Sequence, residues 1–130
     1  MTTRQVEIGE VAKTGKYLVL DGEPCKVVDV ARSKTGKHGH TKYRIAAVSV
    51  FTGKKKVIVT SSHTKVDVPH IDKRTAQILS ISGNTASVMD TESYETFEME
   101  IPEELRENLS EGDSVIYWNV LGKNIMQQKK

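Results

Sequence analysis

No helical periodicity in this chain runs longer than the eight residues 102–109; the rest falls into short apolar-alternating runs cut by glycine turns. That pattern excludes helical bundles and layered α/β folds and demands small antiparallel barrels. Tyr17-Leu18-Val19-Leu20 runs into Asp21-Gly22, a tight-turn dipeptide, and residues 25–30 return as the next strand. Residues 43–51 form a long strand, Thr52-Gly53 turns, and 55–60 and 65–68 follow, the last ended by Pro69. A second series begins with 76–81 and 85–89 around the turn Ser82-Gly83-Asn84. Residues 94–101 alternate, and 114–120 and 124–127 close the series across Leu121-Gly122. Between its third and fourth strands, Pro102 and the pair Glu103-Glu104 supply the start signals of one short helix over 102–109. The expected fold is therefore all-β. Residues 1–70 suit an SH3-like barrel and 71–130 an OB-fold barrel with one short helix.

Charge divides the chain at the same place. Residues 1–70 carry 13 Lys/Arg against 6 Asp/Glu, and residues 71–130 carry 6 against 11. Between Asp29 and Asp67 there are nine Lys/Arg, three His and no carboxylate. Such a block predicts a surface that faces a polyanion, most simply RNA, with an ordinary solvated lysine face as the alternative. The acidic second half predicts that contact is made by one end only. The single cysteine, Cys25, excludes a disulfide framework and sits in an apolar strand as a small hydrophobe. No apolar run approaches the roughly 18 residues of a membrane span, and no signal-like apolar core follows Met1. A cytoplasmic location without membrane contact is the expectation.

Residues 25–32 and 42–51 read as one hairpin whose tip is Ser33-Lys34-Thr35-Gly36-Lys37-His38-Gly39-His40-Thr41. Gly36 and Gly39 bracket Lys37-His38 and permit sharp turning on either side. If four residues climb each side, the tip stands roughly 10–13 Å beyond the barrel. Two residues would suffice to close a hairpin, so the extra length and charge suggest a contact surface. A phosphate-cradling glycine loop is excluded, because Ala31 stands where its first glycine belongs and His38 follows Lys37. His38, His40 and His63 lack the spacing and the thiolate or carboxylate partners of a metal site. No nucleophile–base pair converges on the segment either. A plain basic RNA-binding loop stays open as a reading. The triple lysine at 54–56 is equally a solubilising turn or an RNA contact, and Phe97, Tyr117 and Trp118 read as core.

Residues 33–42, SKTGKHGHTK, resemble the modification loop of the translation initiation factor 5A family, relatives of bacterial elongation factor P. The likeness extends over essentially the whole chain. Asp21-Gly22-Glu23-Pro24-Cys25 and Thr60-Ser61-Ser62-His63-Thr64 resemble the family's flanking segments. Val68-Pro69 resembles its interdomain junction, and Met89-Asp90 with Tyr94-Glu95-Thr96 its second domain. The lack of an acidic leading extension and the short tail resemble the archaeal branch, and Thr41 departs from the family's usual alanine.

The resemblance implies that Lys37 is the lysine that deoxyhypusine synthase extends, using NAD, with an aminobutyl group from spermidine, and that hydroxylation to hypusine can follow. It implies no other cofactor and no metal. The implied role is a non-enzymatic translation factor that binds the ribosome near the exit site. There it would position peptidyl-tRNA for peptide-bond formation at stalling sequences such as consecutive prolines, and support termination. Lys34, His38, His40, Lys42 and Arg44 would support the loop on ribosomal or transfer RNA, with Gly36 and Gly39 shaping it. A general RNA-binding module without modification and a metal-dependent enzyme are the competing classes.

Overall fold

The computed structural model describes residues 3–34 and 41–130. It contains eleven strands and divides into two compact units, Met1–His70 and Ile71–Lys130. The expected all-β class holds, down to the OB-type order of the second unit. Among the described residues no helix is long and apolar enough to cross a membrane.

In the first unit, β1 (Thr3–Glu7) pairs antiparallel with β6 (Lys65–Pro69). A second sheet runs in the order β2 (Tyr17–Leu20), β3 (Glu23–Lys34), β4 (Thr41–Ser49), β5 (Lys55–Ser61). The first strand and the single 3-10 turn after it, Ile8–Glu10, were not legible in the sequence. Only Val6 and Ile8 bury there among charged neighbours, too few to show a period. The core gathers Val6, Ile8, Val11, Leu18, Leu20, Cys25, Val27, Ile45 and Ala47. Cys25 is fully buried, and burial pushes its thiol pKa up, as befits an inert side chain.

The run Val27-Val28-Asp29-Val30 breaks strict alternation, and a β-bulge explains how it fits. Val27 pairs with Ala47, but Asp29 pairs with Ala46, so Val28 is the extra residue. The bulge returns Val30 to the core side opposite Ile45 and leaves Val28 outside, 42% exposed. Without it Asp29 would point into the core.

The second unit is a five-stranded sheet ordered β11 (Lys123–Lys129), β10 (Ser114–Val120), β7 (Ile71–Ser82), β8 (Thr85–Asp90), β9 (Thr96–Glu100). β11 comes round to lie against β9. The helix expected over 102–109 is only a 3-10 turn, Glu103–Leu105. Leu105, Arg106 and Asn108 donate to the carbonyls of Pro102, Glu103 and Leu105, each three residues back. Eight residues cannot repay α-helix nucleation, and tight turns satisfy the backbone while Leu109 reaches the core.

Asp90 at the end of β8 organises this unit. It is 1% exposed and accepts from Arg74 Nε (2.6 Å) and a second guanidinium nitrogen (3.0 Å). The Tyr117 hydroxyl and the backbone N–H groups of Glu92 and Ser93 also donate to it. One carboxylate thereby ties β7, β8 and β10 together and fixes the turn into β9. The Arg74 guanidinium holds the Asp90 pKa well below the usual carboxylate range, overcoming burial. Burial and this same carboxylate push the Tyr117 hydroxyl up to about 12.

Two consequences can be measured. Leu121 sits at φ 48° beside Gly122 at φ 79° in the two-residue turn joining β10 to β11, where a leucine is strained. Leu121→Asn is expected to stabilise the protein by about 0.5–1 kcal/mol in urea unfolding. Asp90 is ionised in the folded state well below the pH at which the unfolded chain protonates it. Its contribution is therefore full above about pH 5 and fades as pH falls. Asp90→Asn should cost about 2–4 kcal/mol at pH 7 and flatten the decline in stability between pH 5 and 3.

Candidate functional site

The long hairpin is formed by β3 and β4, paired without a break from Asp29–Ala46 to Lys34–Thr41. Ser33, Lys34 and Thr41, expected in the tip, are thus part of the ladder, and the connection is 35–40. Gly36, Lys37, His38, Gly39 and His40 lie outside the described residues, as does any height of the tip. On the β4 side the hairpin does not stand alone. β5 pairs with β4 from Val48–Lys55 up to Lys42–Ser61, and Ser62 donates to the Thr41 carbonyl at 2.9 Å.

Register decides which face each cation takes, because directly paired residues share a face. Lys42 opposes Ser33, and Arg44 opposes Ala31. These four occupy the outer face, with Val59 and Val57 of β5 opposite Arg44 and Ala46. Arg32 and Lys34 oppose Tyr43 and Thr41 on the other face, where Tyr43 packs against the core. Lys42 and Arg44 share one face, whereas Lys34 belongs to the opposite face with Arg32. Ala31, Arg32, Ser33, Lys42, Tyr43, Arg44 and Val59 border an open concavity of about 280 Å³. Three of these seven residues, Arg32, Lys42 and Arg44, are cations.

The triple lysine resolves unevenly. Lys56 reaches back to Asp21 and Glu23, at 3.3 Å each, and these hydrogen bonds raise its pKa. It clamps the β2–β3 turn and is neither a plain solubilising residue nor a free RNA contact. Lys54 and Lys55 are exposed. His63 lies 3.8 Å from Glu7, and among the described residues no three metal-capable side chains gather.

The aromatic residues of the second unit also divide. Tyr117 is buried, and Phe97 meets it edge-on with ring centroids 5.3 Å apart, as expected of core. Trp118 is the exception: it points to the opposite face of β10, with the Lys73 ammonium 5.3 Å from its ring centroid. The Asp90–Arg74–Tyr117 cluster was not singled out from sequence, since its members are 16 and 27 residues from Asp90. Val57 and Val59 were also missed. Their signal was the run Val57-Ile58-Val59, which puts apolar groups on both faces of one strand.

Comparison with known proteins gives consistent matches along the chain. A family profile described as translation initiation factor 5A-like, N-terminal, matches residues 1–64. A second, described as eukaryotic elongation factor 5A hypusine, DNA-binding OB fold, matches residues 70–130. The chain is 44% identical to translation initiation factor 5A of Methanothermobacter thermautotrophicus over 100% of this chain and 99% of that one. It is 43% identical to the Archaeoglobus fulgidus protein of the same name, covering 96% and 97%. The structure matches that of eukaryotic translation initiation factor 5A from Methanococcus jannaschii with a TM-score of 0.91 and 40% identity, covering 99% and 96%.

The sequence-based expectation of RNA contact has a salt signature that the outer-face residues can test. Lys42→Ala and Arg44→Ala should each weaken binding of a transfer RNA about equally across sequences. Each should also lower the slope of log affinity against log salt by roughly one. Lys56→Ala should change that slope less, because its charge is already paired.

Proposed function

The chain belongs to the translation initiation factor 5A family, and we propose that it acts on the ribosome through a polyamine-extended Lys37. The observation that carries this reading is Lys37 itself, set between Gly36 and His38-Gly39 in the connection of a hairpin whose flanking ladder bears Lys34, Lys42 and Arg44. In the proposed modification, deoxyhypusine synthase cleaves a C–N bond of spermidine and forms a new one to Lys37 Nζ, releasing 1,3-diaminopropane. NAD takes up and returns the hydride, so the transfer is redox-neutral. The product places a second amine at the end of a longer stem. Two spaced cations can bridge neighbouring phosphates where lysine makes one contact.

The factor binds near the ribosomal exit site, and the extended Lys37 holds the acceptor end of peptidyl-tRNA. His38 and His40 add hydrogen bonds or stacking on RNA, and Gly36 and Gly39 allow the backbone to turn. A run of prolines stiffens the nascent chain and orients it poorly for attack. Restoring that orientation, at proline runs and at termination, speeds the ribosome's own chemistry without a catalytic group from this protein. It is a substrate of the modifying enzyme and not itself an enzyme, and its place of action is the cytoplasm.

Protein purified from its native source should carry an aminobutyl-type mass increment that disappears in Lys37→Arg. The variant should also lose most of its ability to relieve proline stalling. An unmodified native protein, with Lys37→Arg fully active, would leave only the general RNA-binding reading.

A further inference from the structure

β5 is an end strand of its sheet. Among the described residues it pairs with β4 alone, and Lys55 to Thr60 make no backbone hydrogen bond outside that ladder. Every second residue of such a strand turns its N–H and C=O outward, a template on which another strand can form. Burial alternates along the edge. Lys56, Ile58 and Thr60 are half-buried, while Lys55, Val57 and Val59 are exposed, the two valines by 46% and 66%. A run of β-branched residues with unpaired backbone is the kind of edge that chains ordinarily hide or pair.

The residue order of this edge complements itself. With a second copy running antiparallel about a two-fold axis at Ile58, Val57 of each copy lies opposite Val59 of the other. Lys55 and Lys56 then lie opposite Ser61 and Thr60, so no cation directly opposes a cation. Centring the axis on Val57 sets Lys55 against Val59 and Lys56 against Ile58, and centring it on Val59 sets Val57 against Ser61. Parallel pairing in register puts every lysine beside its own equivalent. We propose that two copies of this chain join by antiparallel pairing of their β5 edges about Ile58, making one continuous eight-stranded sheet. The pairing uses up both edges, so it closes at two copies. Seven residues a side is a small interface, which sets the dissociation constant on the order of 100 μM. Lys42 and Arg44 lie one strand behind the seam, and the two β3–β4 hairpins leave the joined sheet at opposite ends. Lys42 pairs with Ser61, so Lys55 of one copy and Lys42 of the other flank that serine on one face, roughly 9–10 Å apart. Their repulsion makes salt favour the dimer, the reverse of its effect on RNA binding. The inference does not depend on the reading of Lys37.

The test follows full-length, ribonuclease-treated protein by sedimentation from about 1 μM to about 1 mM, where monomer should give way to dimer. Val57→Lys/Val59→Lys should raise the dissociation constant at least about tenfold. The milder pair Val57→Thr/Val59→Thr, which keeps β-branching, should raise it about threefold and serves if the lysine pair does not fold. Leu79→Lys, at a residue of similar exposure (43%) in the other unit, should leave it unchanged. Raising sodium chloride from about 0.05 to about 0.5 M should tighten the wild-type dimer. A short bis-maleimide reads the register. Val57→Cys mixed with Val59→Cys should cross-link at least about tenfold faster than either variant alone, since Cys25 is buried and out of reach. A wild type that stays monomeric throughout overturns the inference and leaves the β5 edge to a strand of another protein. A dimer indifferent to the lysine or threonine pair, or one dissolved by ribonuclease, overturns it as well. Equal cross-linking of the mixture and the single variants overturns the pairing about Ile58.

Discussion

A slip of one residue in the pairing of β3 with β4 would turn Lys42 and Arg44 toward the core and put Tyr43 in water. Everything the first unit offers to a partner depends on that register. The bulge at Val28 holds it by letting Val27 and Val30 both face inward although they stand three positions apart. β5 holds it from the other side, pairing along β4 almost to the end of the ladder. The result is a continuously paired ladder leading into residues 35–40, with cations on both faces and valines on one.

The second unit reaches its rigidity by another route. Its strands meet at a single buried carboxylate, which is satisfied by a guanidinium, a phenol and two backbone amides. Because every buried side-chain donor and acceptor among the described residues is partnered, this cluster costs little in unmet hydrogen bonds. The unit is otherwise acid-rich, and its one exposed aromatic, Tyr94, lies in the turn that Asp90 secures. The excess of basic residues lies in the first unit, while the second supplies an OB-type body.

Much of this was legible beforehand because β-sheet alternation and turn dipeptides are local signals. Asp21-Gly22 closes β2 onto β3, and residues 114–120 form β10 with the bounds that their alternation implies. The failures have physical causes. The stretch 102–109 carries helix-start residues but is too short to nucleate, so local preference lost to turn geometry. Lys56 looked like one of three equivalent lysines, and only the fold brings Asp21 and Glu23 beneath it. The split of Lys34 from Lys42 and Arg44 depends on pairing register, which composition does not reveal. Glycine placement and charge marked only a basic loop, and Lys37 was singled out by the resemblance of that loop to the translation initiation factor 5A family.

The account turns on one claim: the extended Lys37 side chain restores the orientation of a stalled peptidyl-tRNA, and the barrels hold that side chain in place. The most direct measurement is the single-turnover rate of peptide-bond formation on ribosomes halted within a run of prolines, with modified and unmodified protein compared at saturation. The account predicts a large acceleration by the modified form, little by the unmodified form, and almost none from either at sequences that do not stall. Equal acceleration by both forms would contradict it, and would leave the basic hairpin acting as a simple RNA-binding element.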